Sequence, residues 1–199
     1  FAMPIHVRSS YTYREGTMVT GAMEDLPLEQ ALITGVAHDR SEAKITIVGV
    51  PDEPGIAAKI FVTVADAEVN IDMIVQNVST EGTGATDISF TLPKDDGPNA
   101  MAALNKIRED IKFKTLLYDD HIGKVSLIGA GMRSHPGVAA KFFAALGAAG
   151  LNIEMISTSE IRVSVICRDT DLDAAVRAVH DAFELGGDEE AVVHAGTGR

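Results

Sequence analysis

The sequence is poor in cysteine, in aromatic residues and in positive charge. Its 199 residues include one cysteine, Cys167, no tryptophan and three tyrosines. A lone cysteine cannot close a disulfide within the chain, which fits a reducing cytoplasm rather than the disulfide-stapled secreted class. Lys and Arg number 17 against 29 Asp and Glu, for a formal net charge of −12. With no basic stripe, that balance excludes nucleic acid and anionic membranes as expected partners and leaves a small molecule or another protein. No apolar run approaches the roughly 18 residues that span a bilayer. The opening, FAMPIHVRSSYTYREG, has no basic and apolar leader pattern. It begins with Phe rather than Met and reads as part of a longer protein. Disorder is excluded in turn, because 46% of the residues are hydrophobic, enough for a packed core.

What is present is a repeat. Residues 44–79 read KITIVGVPDEPGIAAKIFVTVADAEVNIDMIVQNVS, and residues 124–159 read KVSLIGAGMRSHPGVAAKFFAALGAAGLNIEMISTS. Aligning Pro54-Gly55 with Pro136-Gly137 superposes PGxAAKxF and then NIxMI, with about half the positions from Pro54 to Ile74 identical. One domain therefore occurs twice.

Periodicity gives each copy its elements. Ile45 to Val48 and Val125 to Ile128 are short β-branched strands that end at Gly49 and Gly129. Pro54 and Pro136 suit the first turn of a helix, where a missing N–H costs nothing. Ile56, Ile60 and Val64, and their twins Val138, Phe142 and Leu146, recur at four-residue spacing and predict amphipathic helices. Asn70 and Asn152 open second strands, and third strands alternate through Ile88, Phe90, Leu92 and through Ile161, Val163, Val165. Second helices follow at Met101, Leu104, Ile107, Ile111 and at Leu172, Val176, Val179, Phe183, with last strands at Lys114 to Tyr118 and Ala191 to His194. The order is βαββαβ twice, an α+β class of antiparallel sheets with helices on one face. The assignment divides the chain into 1–30, an irregular tail of a preceding domain with linker; 31–119, the first copy; and 120–199, the second. Ala31 to Ala37 form an extra strand that either sheet could take.

The chemistry concentrates in the turns GVPDEPGIAAK (Gly49 to Lys59) and GAGMRSHPGVAAK (Gly129 to Lys141). A Pro-Gly opening a helix leaves backbone N–H donors that, with the helix dipole, favour a carboxylate. Ala57 and Ala139 allow close approach, and Asp52 can meet an ammonium group, so the first loop complements both ends of a free amino acid. The second has Arg133, Ser134 and His135 instead of an acid. The same features also serve as an ordinary turn and as helix–sheet packing. The GAGMRS stretch is a rival dinucleotide signal, but the fingerprint needs a third Gly where Ser134 stands and a parallel βαβ unit around it. No phosphate-loop, zinc-protease or nucleophile-elbow motif occurs. Cys167 lies in an apolar strand as a core thiol. His38-Asp39 and Asp119-Asp120-His121 lack metal-ligand spacing and instead cap or join elements. No active site and no cofactor are expected.

The string GxPDxPGxAAK followed by NIDMIxQN resembles the ACT domain, a module that binds amino acids between paired units. ITGVAHDRSEAKITIVG, LLYDDHIGKVSLIGAGMRSHPGVAAKFF, NIEMISTSEIRVSVI and GGDEEAVVHAGTGR are similar to the regulatory half of aspartate kinases, and PIHVRSSYTYREGT to the end of their kinase domain. The resemblance implies two ferredoxin-like ACT units in tandem that sense L-threonine, L-lysine or both and switch off an attached or partner kinase chain. It implies effector contacts at Asp52, Gly55, Ile56, Ala57, Asn70, Ile71, Asp72 and Gln76. From the second unit of a partner chain it implies Val138, Ala139, Asn152, Ile153, Ser159 and Glu160. Ser79, Thr86 and Ser89 are placed on neighbouring strands as transmitters rather than ligand contacts. Exposed strand edges and apolar helix faces imply a homodimer. The kinase motifs are missing, so no phosphorylation by this chain is expected. The alternatives are a stand-alone sensor of another protein and a nucleotide-cofactor enzyme using the GAG loop.

Overall fold

The computed structural model describes residues 5–8, 17–19, 32–77, 84–130, 132, 135 and 137–186. The chain separates into residues 1–30 and residues 31–199. In the first part, β1 (Ile5–Val7) and β2 (Thr17–Val19) pair antiparallel, with Ile5 opposite Val19. The sequence reading has no strand here. β-Branched Ile5, Val7, Thr17 and Val19 favour extended backbone, but three-residue strands are too short to stand out by periodicity.

The larger part contains two four-stranded sheets. The first lobe is built from β4 (Glu42–Pro51), α1 (Ile56–Asp66), β5 (Ile74–Asn77), β6 (Ala85–Pro93), α2 (Gly97–Lys106), α3 (Arg108–Ile111) and β7 (Thr115–Asp119). Its strand order is β5-β6-β4-β7, with every neighbour antiparallel. The second lobe has β8 (Ile122–Ala130), α4 (Val138–Ala148), β9 (Met155–Thr158), β10 (Arg162–Arg168) and α5 (Leu172–Ala182). Its order is β3-β8-β10-β9, where β3 (Leu32–Asp39) precedes the whole first lobe in sequence.

The strand that sequence leaves unassigned therefore belongs to the second sheet. β3 pairs with β8 from Leu32 opposite Ala130 to Asp39 opposite Lys124, in the slot that β7 fills beside β4. The proposed strand at Ala191 to His194 lies outside the described residues. β8 has β10 and β3 as its two neighbours.

Each sheet turns one face to its helices. In the first lobe Ile45, Ile47, Ile88, Phe90 and Leu92 meet Ile60 and Val64 of α1 and Ala100 and Leu104 of α2 in one buried cluster. Phe61 sets its ring edge-on to Phe90, with centroids 5.8 Å apart. In the second lobe Val125, Leu127, Val163, Val165 and Cys167 meet Phe142, Leu146, Leu172 and Val179. Each large side chain removed from water in this way stabilises the fold by roughly 1.5–3 kcal/mol before entropy is counted. A third cluster, of Met73, Ile122, Met155 and Ile166, lies where the lobes meet.

Several local expectations are corrected. Gly49 does not end its strand: β4 runs on to Pro51, and Gly49, at φ 70°, makes a bulge where pairing to β6 shifts between Ile47 and Val50. β8 likewise continues past Gly129 to Ala130. Pro54 is not in the first helical turn, because Gly55 caps α1 at φ 91°, outside the helical region, and the helix starts at Ile56. Asn70 and Asn152 precede the second strands by several residues. The Met101 to Ile111 helix breaks at Ile107, whose φ of −96° and ψ of 7° close α2 before α3 begins. Ile161 lies just before β10 and is exposed, although its carbonyl accepts the Gly129 N–H at 2.9 Å.

A candidate effector cleft in the first lobe

The bulge at Gly49 sets the direction of the chain that follows. The Gly49 N–H donates to Asp87 Oδ1 at 2.8 Å, and the Asp52 N–H donates to the Gly84 carbonyl at 2.9 Å, which ties the loop to the start of β6. Glu53 N–H donates back to the Pro51 carbonyl, and Ile56 N–H to the Glu53 carbonyl. The first regular helical bond into the loop is from Lys59 N–H to the Gly55 carbonyl at 3.1 Å. Among the described residues, no acceptor meets the N–H groups of Ala57 and Ala58. These are the donors that a helix start leaves over.

A cleft of about 210 Å³ opens here, lined by the loop from Val50 to Ala57 together with Gln76, Thr86 and Ile88. Five of the residues that sequence singles out meet in it: Asp52, Gly55, Ile56, Ala57 and Gln76. Thr86, which the resemblance places on a neighbouring strand as a transmitter, is also part of the cleft lining. It is buried in the cleft wall, and its hydroxyl donates to the Asn77 carbonyl at the end of β5. Ser89 lies away from the cleft and shares a hydrogen bond of 2.9 Å with the Thr46 hydroxyl. Ser79 is outside the described residues.

The other predicted residues stand elsewhere. Asn70, Ile71 and Asp72 form the segment between α1 and β5, and Asn152 and Ile153 form its twin between α4 and β9. Val138 and Ala139 are the first two residues of α4, half-buried behind the Gly137 cap at φ 109°. The Ser159 N–H donates to the Arg162 carbonyl at 2.7 Å in the turn before β10, and the Glu160 carbonyl accepts from Met132 N–H at 3.2 Å. None of the second-lobe residues lines the cleft within this chain.

Asp72 is engaged in a network between the lobes. Its carboxylate accepts from Lys124 Nζ at 2.7 Å, and Lys124 also pairs with Glu42. Lys44, the twin of Lys124, pairs with Glu154, the twin of Asp72. Arg168 continues this half, with Nε 2.8 Å from Glu154 and Nη1 2.8 Å from Asp119. Burial disfavours the charge on Lys124, but hydrogen bonds and attraction from Asp72 and Glu42 outweigh it and hold its pKa above the ordinary lysine value. Asp39 and Asp119 join elements as sequence predicts: each carboxylate accepts the N–H two residues on, from Ser41 at 2.7 Å and from His121 at 3.0 Å.

The rival dinucleotide reading fails on topology. The helix after β8 leads to β9, and β10 lies between those strands, antiparallel to both. Among the described residues there is no cluster of three metal-ligating side chains and no helix long and apolar enough to cross a membrane.

Residues 45–107 and 125–183 match the ACT domain family. The aspartokinase of Mycobacterium tuberculosis is 66% identical over 197 residues, which cover 99% of this chain and 47% of that protein. The chain thus spans about half the length of the curated relatives it matches. The ligand-free regulatory subunit of aspartate kinase from Thermus thermophilus superposes with a TM-score of 0.72 at 43% identity, covering 76% of this chain and 99% of that one. Aspartokinase III of E. coli, solved with lysine and aspartate, shares the fold with a TM-score of 0.67 at 22% identity over 89% of this chain and 38% of that one. With two four-stranded antiparallel sheets of matching arrangement and a family match in each lobe, the chain belongs to the ACT domain family, among the regulatory regions of aspartate kinases.

Proposed function

We propose that this chain senses an amino acid of the aspartate family, L-threonine first and L-lysine second, and imposes feedback inhibition on the catalytic part of an aspartate kinase in the cytoplasm. The observation that carries the proposal is the first-lobe cleft. At about 210 Å³ it is smaller than the roughly 300–1,000 Å³ of drug-sized pockets, which favours a compact ligand. Among the described residues no acceptor meets the N–H groups of Ala57 and Ala58 at the helix start, where the dipole also favours a carboxylate. Asp52 on the rim complements an ammonium group, and Gln76 offers both a donor and an acceptor to a side-chain hydroxyl. The bound lysine in the E. coli neighbour supports an amino-acid ligand for this kind of fold.

In this reading a second copy completes the site. Val138, Ala139, Asn152, Ile153, Ser159 and Glu160 of its second lobe close the cleft, Asn152 and Ile153 through main-chain groups, and Asn70, Ile71 and Asp72 are the remaining first-lobe contacts. Effector binding then favours the dimer arrangement that holds the kinase inactive, by as much as its affinity for the two arrangements differs. The exposed Ile74 and Ile156 on the short edge strands β5 and β9 support association of copies through these edges.

Calorimetric titration with L-threonine, L-lysine and D-threonine tests the reading. Saturable heat with L-threonine, lost in Asp52→Ala and in Gln76→Ala, is the expected result. Absence of stereospecific heat with either L-amino acid would sink it. Sedimentation with and without threonine tests the dimer separately.

A further inference from the structure

The network between the lobes has twofold order, since each half pairs a lysine of one lobe with a carboxylate of the other. In the first lobe Lys44 lies opposite Thr91 on the β4–β6 ladder, and Asp72 N–H donates to the carbonyl of that same Thr91 at 3.0 Å. In the second lobe Lys124 lies opposite Ile166, and Glu154 N–H donates to the Ile166 carbonyl at 2.8 Å. Lysine and carboxylate thus share a rung within each lobe, yet each lysine reaches across to the carboxylate of the other. The side chains of Lys44, Glu154, Lys124 and Glu42 are only 18%, 13%, 12% and 10% exposed. Loss of a partner from ion pairs removed from water to this degree is costly, and without Lys44 the Glu154 carboxylate keeps only Arg168, whose side chain is 49% exposed. Glu42 Oε2 is buried with no hydrogen-bond partner among the described residues, and Arg162 stands 3.9 Å from Asp72 as a further cation at the Lys124 end.

We propose that these crossed pairs are an electrostatic latch that holds the two lobes of one chain at a fixed mutual angle, and that opening either pair lets this angle change. The latch lies in line with the cleft. β4 begins at Glu42 and Lys44 in the latch and ends at Pro51 on the cleft wall. Asp72 stands on the segment that leads into β5, which carries Gln76. Movement of the loop or of β5 on ligand binding therefore pulls on a latch residue at the far end of the same backbone segment. The alternative holder is the apolar contact of Met73, Ile122, Met155 and Ile166, which carries no charge. The latch acts without any ligand, so it stands or falls apart from the sensor reading.

The test places spin labels on the 199-residue chain at Ala102→Cys in α2 and Arg177→Cys in α5, both exposed, while Cys167 is buried. Pulsed dipolar spectroscopy then reads the distance between lobes in ligand-free protein. Lys44→Met keeps the length and apolar stem but removes the charge, and the expected result is a distance distribution at least twice as broad or a displaced maximum. Lys44→Arg keeps the charge, and the narrow distribution of the parent is expected to return. Should Lys44→Met fail to fold, Glu154→Gln removes the partner's charge with almost no change of shape, and the same broadening is expected. A parent-like distribution in a folded Lys44→Met or Glu154→Gln chain would overturn the proposal in favour of the apolar contact. Equal broadening in Lys44→Arg and Lys44→Met would also overturn it, since charge would then not matter.

Discussion

Cys167 faces the second-lobe core with its thiol against the Gly123 carbonyl, and burial, with smaller contributions from Asp171, Glu154 and Asp169, pushes its pKa from 9.0 up to about 11. The folded state thus prefers the neutral thiol. This contribution is fully present below the unfolded pKa and is lost as pH rises through about 11. Iodoacetamide at pH 8 is expected to leave folded protein unmodified and to alkylate it only with unfolding, as mass spectrometry would read. Asp39 has the opposite sign. The Ser41 hydroxyl, then the Ser41 N–H, hold its carboxyl below the ordinary 3.8, so its stabilisation is present above the ordinary range and drains away as pH falls through the lowered value. Ser41→Ala is expected to move the Asp39 titration back upward in a carboxyl-carbon NMR titration. At Gly55 the φ of 91° is the constraint, since a Cβ would meet nothing within 4 Å. Gly55→Ala is therefore expected to cost roughly 1–2 kcal/mol through backbone strain alone. In the proposed site it also shifts the helix-start donors, so ligand affinity falls with stability.

Among the elements, α4 shows how much of the fold depends on one apolar stripe. Phe142 is fully buried and sets its ring edge-on to Phe143, with centroids 5.6 Å apart. Phe142→Ala is expected to destabilise the chain by about 3–5 kcal/mol in urea unfolding. Val62→Ala in α1, where the side chain is 57% exposed, is expected to stay within about 0.5 kcal/mol. The same stripe is why this helix was legible beforehand: Val138, Phe142 and Leu146 fall at a spacing that only a helix turns to one side. Alternation through Ile88, Phe90 and Leu92 located β6 for the same reason. Periodicity failed where backbone conformation decides. It carries no sign of φ, so Gly49 looked like a strand end and Pro54 like a first turn, although both are set by glycines in left-handed conformations. It also carries no pairing information, so the sheet that takes β3 could not be chosen. At the cleft, loop chemistry pointed to Asp52, Gly55 and Ala57, while Thr86, which reaches the cleft from another strand, was named only through the resemblance and as a transmitter. Asp72 was legible as part of the NIDM string, but its partner Lys124 lies on a different lobe and leaves no local trace.

At the scale of the whole molecule, the second lobe is incomplete without residues that lie before the first. A chain beginning at Glu42 lacks β3 and leaves one edge of β8 unpaired. Hydrogen exchange is expected to show lost protection along β8 there, with β4 and β6 still protected. The same arrangement decides the order of assembly. β3 and β8 pair across the entire first lobe, and so distant a contact is slow to form from an open chain. Once the first lobe has folded, Lys44 stands opposite Asp119 on neighbouring strands. The end of β3 and the start of β8 then emerge side by side, and the loop they must close shrinks to two short turns. A prior folding step thereby does the work of a tether. Slowing the first lobe, for instance by truncating Phe90, should delay protection of β8 in refolding, whereas truncating Phe142 should leave the rate at which β4 becomes protected unchanged.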